Sequence, residues 1–239
     1  MVSTRNRKSG DILRSTVRVV IFIKTDNMKP YYEHNGITIY HGNCMEVMPQ
    51  LNNIDLITTD FPYGNNTEYG TYIDTPEHLK ELVDSVLPIM KSKAKRIAIA
   101  SGVKNIHLYP EYDWILCWHI KAGTGSSCWG FNEWQPIIIY GKDPYLQNRL
   151  GRRPDTISLT IKAEKNNHPC PKPLRFWRKL IERCSVDKDE IILDPFMGSG
   201  TTLRAAKDLN YRAIGIELEE RYCEIAVTRL EQEVFCFNN

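Results

Sequence analysis

Short apolar runs rich in β-branched residues alternate with amphipathic helical patterns along most of this chain, and this alternation constrains the fold most. Seven runs predict strands, at residues 36–42, 55–60, 96–101, 113–120, 136–142, 190–194 and 212–218. Helical spacing is found at residues 75–93, 173–184, 201–210 and 220–233. Strands that are apolar on both faces belong in a parallel sheet covered by helices on both sides. We therefore predict an α/β fold with a doubly wound, mostly parallel seven-stranded sheet.

Length and composition narrow the class of protein. The chain has 239 residues, of which 42% are hydrophobic and 25% are charged, as expected of a globular domain. No apolar run approaches the roughly 20 residues needed to cross a bilayer, so no membrane partner is predicted. The 7 cysteines form no Cys-x-x-Cys pair. They are interpreted as free buried thiols in a reducing cytoplasm, and no metal site is predicted.

The first 27 residues differ from the rest, because they are basic, rich in Ser and Thr, and weakly periodic. Residues 1–27 are predicted to be a flexible N-terminal extension, and residues 28–239 a single domain. Loss of folding or function on deletion of residues 1–27 would contradict this division.

Charge is unevenly distributed. Residues 142–183 contain 11 Lys and Arg against 4 Asp and Glu, although the net charge of the chain is only +2. A basic segment on a slightly acidic body is typical of a protein that contacts a polyanion. A solvated surface segment is the alternative, and charge alone leaves both open.

A glycine-rich turn follows the strand at 190–194, in the sequence "EIILDPFMGSGTTLRAAKDLNYRAIGIEL". Gly198 and Gly200 allow close approach of the backbone to a ligand, and Thr201 and Thr202 are expected to cap the following helix. Glu217 ends the next strand, where a carboxylate can bind the hydroxyl groups of a ribose. The combination predicts a cofactor that contains a nucleoside.

The type of nucleoside cofactor is restricted by what the turn lacks. A nicotinamide cofactor favours Gly-x-Gly-x-x-Gly, but Thr, Thr and Leu follow Gly200 here. No Gly-Lys-Ser/Thr sequence is present, which disfavours hydrolysis of a nucleoside triphosphate.

Four motifs in one order resemble those of DNA amino-methyltransferases, which methylate exocyclic amines of adenine or cytosine. The motifs are "GNCMEVM" (42–48), "DFPY" (60–63), "HPCPKP" (168–173) and "DPFMGSGTT" (194–202). The catalytic motif comes first and the cofactor motif last, as in the circularly permuted β group of this family. The resemblance runs from about residue 28 to residue 230.

The resemblance implies S-adenosylmethionine as the cofactor and a set of cofactor-binding residues. These are His168, Lys172, Asp194, Phe196, Gly198, Ser199, Gly200, Thr201, Thr202 and Glu217. An alternative interpretation of His168 is a structural hydrogen-bond partner. For Lys172 the alternative is a solvent-exposed charge without a role in the site.

The "DFPY" motif supplies what amine methylation needs. The lone pair of an exocyclic amine is delocalised into the base, so the nitrogen must be held by acceptors for its N–H bonds. Asp60 and the carbonyl of Phe61 are the predicted acceptors, acting through positioning and electrostatics. Pro62 restricts Phe61 to an extended backbone, and the ring of Tyr63 is predicted to stack on the extruded base.

Phe61 stands where the family usually has proline, and it is equally readable as a core aromatic. We expect activity to survive this change, because the carbonyl is independent of the side chain. Trp118, Trp129 and Trp134 are expected mostly to pack, and the loop at 121–134 is a candidate to close over the base.

The sequence therefore predicts an S-adenosylmethionine-dependent DNA methyltransferase that modifies adenine N6, since the motif begins with Asp rather than Ser. A cytosine-N4 or RNA methyltransferase and a nucleic-acid-binding protein without catalysis are the alternatives. Residues 143–167 are the predicted target-recognition insert. Its arginines are predicted to contact DNA phosphates or guanine bases, and they are Arg149, Arg152 and Arg153. The predicted partner is duplex DNA with the target base flipped out. The predicted location is the cytoplasm, and a homodimer is the predicted assembly if the chain associates.

Overall fold

A computed structural model describes residues 28–69, 72–120, 126–159 and 172–232. The predicted N-terminal extension at 1–27 and the predicted cofactor residue His168 lie outside these ranges.

Thirteen strands form one large sheet and two small hairpins in the described ranges. The strands of the large sheet, in chain order, are β1 (Tyr32–His34), β2 (Ile37–His41), β3 (Ile54–Asp60), β6 (Ala94–Ala100), β7 (Trp114–Ile120), β10 (Trp134–Tyr140), β11 (Thr156–Leu159), β12 (Ile191–Asp194) and β13 (Arg212–Glu217). The hairpins are β4 (Thr67–Tyr69) with β5 (Tyr72–Asp74), and β8 (Ser126–Ser127) with β9 (Gly130–Phe131).

The large sheet has the order β1-β2-β13-β12-β3-β6-β10-β7-β11. Its centre, from β2 to β6, is parallel, whereas β10 runs antiparallel to both of its neighbours. All seven predicted strands are present, and the mostly parallel α/β architecture is confirmed. The sheet also contains two strands that the sequence did not predict, since β1 forms a hairpin with β2 and β11 adds an edge beside β7.

The helices are α1 (Cys44–Val47), α2 (Pro76–Lys93), α3 (Pro144–Gln147), α4 (Leu174–Cys184), α5 (Thr201–Asp208) and α6 (Glu220–Glu231), with short 3-10 turns at Met48–Gln50 and Ile106–Leu108. The four predicted helices correspond to α2, α4, α5 and α6. Helix α2 begins as its sequence indicates, because the Thr75 hydroxyl accepts a hydrogen bond from the His78 N–H and proline occupies the first position.

Two apolar clusters cover the two faces of the sheet, which explains why its strands are apolar on both sides. In β6, Ile97 and Ile99 belong to the cluster under α1 and α2, whereas Ala98 and Ala100 belong to the cluster under α4, α5 and α6. This alternation follows from the two-residue period of a strand. Helices therefore lie on both faces of the sheet, as predicted.

The region at 143–167 contains more regular structure than its sequence suggested. Asp143 caps α3 by accepting hydrogen bonds from the N–H groups of Tyr145 and Leu146, and β11 pairs with β7 in parallel. Residues 160–167 lie outside the described ranges.

Five cysteines fall in the described ranges and all are free thiols. Cys44, Cys184 and Cys223 are buried as expected, but Cys128 is exposed. Within the same ranges no helix is both long enough and apolar enough to cross a membrane.

Gly200, at the start of α5, lies against Ala226 of α6. Its φ is +74°, and a Cβ added there would lie 2.6 Å from the Cβ of Ala226. We predict that Gly200→Ala lowers the free energy of unfolding by about 2–4 kcal/mol, because left-handed strain and overpacking add together. Urea unfolding measures this change.

Gly151→Ala is the matched control. Its φ is +82°, but no atom lies within 4 Å of the added Cβ, so only the backbone strain of about 1–2 kcal/mol is expected. Equal losses in the two variants would show that contact with α6 does not matter.

Candidate active site

The carboxyl ends of β3 and β12 lie side by side, and the two motifs meet there. The strands are parallel neighbours, with Asp60 ending β3 and Asp194 ending β12. The Thr59 hydroxyl donates to Asp194 Oδ1 at 2.7 Å, which joins the two strand ends directly. Sequence positions more than a hundred residues apart thus form one site at this edge of the sheet.

The loop after Asp60 is held by a buried carboxylate. Asp74 is fully buried and accepts hydrogen bonds from the backbone N–H groups of Tyr63 (3.0 Å), Gly64 (2.6 Å) and Asn65 (3.2 Å). The Asn105 side chain donates to the Tyr63 carbonyl at 2.7 Å. Asp74 and Asn105 therefore fix the loop that carries the "DFPY" motif. No pattern in the sequence identified either residue.

The side chain of Phe61 belongs to the core. It is 2% exposed, and its ring meets Phe196 edge to face with centroids 5.0 Å apart and lies 6.2 Å from the ring of Tyr109. Of the two interpretations left open by the sequence, the geometry favours the core aromatic. Contact with Phe196 also joins the catalytic loop to the glycine-rich loop.

Lys172 pairs with Asp60. Its Nζ donates to both carboxylate oxygens at 2.7 Å, lies 4.7 Å from the centroid of the Tyr63 ring and donates to the Tyr63 hydroxyl. That hydroxyl in turn donates to Gln135 Oε1 at 3.3 Å. Lys172 was predicted among the cofactor residues, but its contacts are with the catalytic motif.

Asp194 is buried and its contacts are internal. Its Oδ1 accepts hydrogen bonds from Thr59 and from the Phe196 N–H, and the Thr202 hydroxyl also bonds its carboxylate. Burial raises its pKa to about 6, although these hydrogen bonds favour the ionised form. Asp194 fastens the start of the glycine-rich loop.

The Asp194 pKa has a consequence for stability. A carboxyl whose pKa is about 6 in the folded state and 3.8 otherwise binds more protons when folded, so stability falls as pH rises from about 4 to 6. We predict that Asp194→Asn removes this fall, which amounts to at most about 3 kcal/mol for a pKa raised from 3.8 to about 6. The measurement is urea unfolding of both proteins at several pH values, and parallel curves would contradict the assignment.

The threonines do not cap α5. Gly200 occupies the N-cap position without a side-chain hydrogen bond, Thr202 is buried against Asp194, and the Thr201 hydroxyl accepts from Arg229. The predicted caps were therefore wrong. The Thr202 hydroxyl bonds the buried Asp194 carboxylate instead, and the Thr201 hydroxyl bonds the Arg229 guanidinium. Ser199 is also buried, at the turn before Gly200.

Glu217 closes the other side of the glycine-rich loop. Its Oε2 accepts from the Gly198 N–H and its Oε1 from the Glu219 N–H, both at 2.9 Å. Burial raises the pKa of this carboxyl, although the backbone N–H donors favour its ionised form. Each oxygen keeps lone pairs for a further donor. Phe196, Gly198 and Glu217, all partly exposed, thus surround the end of β13.

The three arginines predicted to contact DNA lie at the opposite edge of the sheet. Because β10 runs antiparallel to β6, its last residue pairs with Ile97 near the start of β6, whereas Asp60 pairs with Ala100 at the end. Arg149, Arg152 and Arg153 follow β10 and are exposed at this amino edge. Arg152 and Arg153 line a cavity of about 590 Å³ there together with Arg96 and Arg183. The structure does not bring these arginines to Asp60.

The three tryptophans expected to pack differ in environment. Trp118 is 3% exposed and stacks on Phe176 with centroids 4.1 Å apart. Trp134 is 39% exposed and Trp129 is 96% exposed, so for Trp129 the packing prediction was wrong. It lies in the turn of the β8–β9 hairpin, where the neighbouring Phe131 is also exposed.

Comparison with known proteins identifies the family. A family model described as DNA methylase, of the N6/N4 type, matches residues 147–228. The type II methyltransferase M2.DpnII of Streptococcus pneumoniae is 48% identical over 252 residues, which cover 86% of this chain and 93% of that protein. The chain belongs to the DNA amino-methyltransferase family.

Other comparisons agree with the family assignment. The type II methyltransferase M2.MboI of Moraxella bovis is 41% identical, covering 86% of this methyltransferase and 92% of the relative. The solved PvuII DNA methyltransferase (cytosine-N4-specific) has a TM-score of 0.69 at 14% identity. The match covers 87% of this chain and 90% of the PvuII chain. The M1.HpyAVI-SAM complex has a TM-score of 0.61 at 23% identity, with coverage of 82% and 100%. These structures share the fold, and the methyl donor of the enzyme is S-adenosylmethionine.

Proposed function

We propose that this methyltransferase transfers a methyl group to the N6 amino group of adenine in DNA, with Asp60 and the Phe61 carbonyl as the acceptors that hold the amine. The observation that carries the proposal is the joining of the strand end at Asp60 to the glycine-rich loop through the Thr59–Asp194 hydrogen bond. An amine held at Asp60 therefore lies beside the loop that holds the cofactor.

The residues around the glycine-rich loop fit the cofactor. Glu217 has lone pairs left on both oxygens after accepting two backbone N–H groups, which suits the two hydroxyls of a ribose. Gly198 has a φ of +49° and no side chain in the way, and Phe196 offers an aromatic face. These three residues would hold S-adenosylmethionine, which supplies a methyl group on a sulfonium. Asp194, Thr202 and Gly200 would act indirectly, by shaping the loop.

Asp60 and the carbonyl of Phe61 would each accept one N–H of the target amine. Two acceptors on one nitrogen favour its pyramidal form and direct its lone pair away from the base ring. As the bond from nitrogen to the methyl carbon forms, the bond from that carbon to the sulfonium sulfur would break and leave a neutral thioether. The positive charge thus moves to the nitrogen, where the Asp60 carboxylate stabilises it. The proton that the nitrogen then loses passes through Asp60 to solvent.

Lys172 affects this step through Asp60. A carboxylate has about four lone-pair positions, and the ammonium of Lys172 uses one on each oxygen, so positions remain for the amine. The ion pair holds the carboxylate in one orientation at the end of β3. Lys172 also bonds the Tyr63 hydroxyl, which orients the ring proposed to stack on the flipped base.

Cytosine N4 is the alternative target within the family, and Asp60 at the head of the motif favours adenine. The alternative of a protein without catalysis rested on Phe61. The burial of that side chain supports a working site, since only the carbonyl of residue 61 is required. A homodimer, a flexible residue 1–27 segment and a location in the cytoplasm stay predictions.

The substrate class is tested with methyl-labelled S-adenosylmethionine and three acceptors, which are duplex DNA, single-stranded DNA and RNA of matched sequence. Label on DNA is expected. Label on RNA alone would assign the enzyme to another substrate, and cofactor binding by calorimetry without any transfer would support the non-catalytic alternative.

A further inference from the structure

The β8–β9 hairpin presents two aromatic side chains to solvent. Ser126 pairs with Phe131 and Ser127 with Gly130, which places Trp129 at the tip. Trp129 is 96% exposed and Phe131 is 84% exposed. Two large aromatic side chains this exposed on one short hairpin mark an interaction surface, since apolar groups on a soluble surface are otherwise scattered.

The hairpin rises at the edge of the sheet that carries Asp60. It connects the end of β7 to the start of β10, and its neck is closed where the Ile120 N–H donates to the Glu133 carbonyl at 2.7 Å. Strand β10 lies two strands from β3, about 10 Å away. The catalytic loop touches the same strand, because the Tyr63 hydroxyl donates to Gln135. The hairpin therefore leaves the sheet at the same edge as the site, from a strand that the catalytic loop contacts.

We propose that Trp129 and Phe131 stack on DNA bases next to the target base and hold the strand open around it. This inference rests on the proposed function, in which DNA is the substrate. Extruding a base breaks its stacking with its neighbours, and an aromatic side chain beside the gap replaces part of that contact. Stacking tolerates any base, because every base has a π-face.

Charge around the hairpin is compatible with this partner. Lys104 is exposed on the loop after β6, at the same edge, and can approach a phosphate. Glu133 is an exposed carboxylate at the neck, so these two charges balance and leave the hairpin without a net charge that would repel DNA. The aromatic rings are the feature that selects bases.

The test compares Trp129→Ala, Phe131→Ala and the double variant with Trp114→Ala. Trp114 is a good control, because it is 59% exposed but begins β7 at the amino edge of the sheet. Readouts are the DNA Kd by fluorescence anisotropy, the KM for DNA, the cofactor Kd and the molar mass in solution. Each hairpin variant is expected to raise the DNA Kd and KM by about 5- to 150-fold with the cofactor Kd unchanged. Trp129→Phe should restore most of the loss, and Trp114→Ala should match the wild type.

Two results would overturn the proposal. One is a DNA Kd in the double variant equal to that of the wild type. The other is a change from dimer to monomer in the hairpin variants, which would make a second copy of the chain the partner. Failure of the proposed function gives a different result, because the wild-type protein would then transfer no methyl group to DNA. The anisotropy measurement would still show whether the hairpin binds DNA.

Discussion

Replacing Asp60 by alanine is expected to lower kcat for methyl transfer by about 10²- to 10³-fold, the usual loss when a group aimed at developing charge is removed. The carboxylate is 30% exposed at the end of β3, and both of its oxygens accept hydrogen bonds from Lys172. The cofactor Kd should stay within a few-fold of the wild type, because Glu217 and the glycine-rich loop are unchanged. Single-turnover transfer with labelled cofactor measures the chemical step.

Lys172 requires a control in this experiment. The Lys172 side chain is 8% exposed, so Asp60→Ala leaves a nearly buried ammonium without its carboxylate partner. Removing one partner of a buried ion pair lowers the free energy of unfolding by about 3–5 kcal/mol. The double variant Asp60→Ala with Lys172→Met removes this charge. Thermal unfolding identifies the variants that remain folded, and a folded Asp60 variant with kcat near that of the wild type would rule out the proposed role.

Phe61→Ala is expected to lower the free energy of unfolding by about 3–5 kcal/mol, the range for removal of a fully buried aromatic ring. The ring packs against Phe196 and Tyr109, and the hydrogen bonds of the following loop to Asp74 oppose its collapse into the space left by the ring. Urea unfolding measures the loss.

Phe131→Ala is the matched control for stability, since Phe131 is 84% exposed and its truncation removes no packing. Phe61→Leu should lose less than Phe61→Ala, because it keeps part of the buried volume. A Phe61→Ala protein of normal stability but altered DNA KM would instead place this side chain against the substrate base.

The elements that could be predicted from the sequence are those encoded by local patterns. The strand at Ile54–Asp60 and the helix at Pro76–Lys93 follow from apolar periodicity and from a Thr-Pro start. The order of motifs also indicated the family, and the motifs at 42–48, 60–63 and 194–202 each begin at or just after the end of a strand. The edge strand Thr156–Leu159 was missed, since Ile157 and Leu159 are its only apolar residues and form no continuous apolar run.

The contacts that complete the site could not be predicted, because they depend on tertiary geometry. Lys172 and Asp60 are 112 residues apart in the chain, and nothing in "HPCPKP" indicates which motif its lysine contacts. Asp74 is an ordinary residue before a helix in the sequence and a buried anchor in the structure. The arginines were assigned to DNA from the basic charge of their segment, and their place at the amino edge follows from the direction of β10, which its apolar pattern does not reveal.

Chromatography of the methylated nucleoside shows whether adenine N6 is the target and whether Asp60 is needed. Unmethylated duplex DNA is incubated with the enzyme and S-adenosylmethionine, digested to nucleosides and separated by chromatography with mass detection, beside the folded Asp60 double variant. We expect N6-methyladenine from the wild type and at most about one hundredth as much from the variant. N4-methylcytosine from the wild type, or equal N6-methyladenine from both proteins, would contradict this expectation.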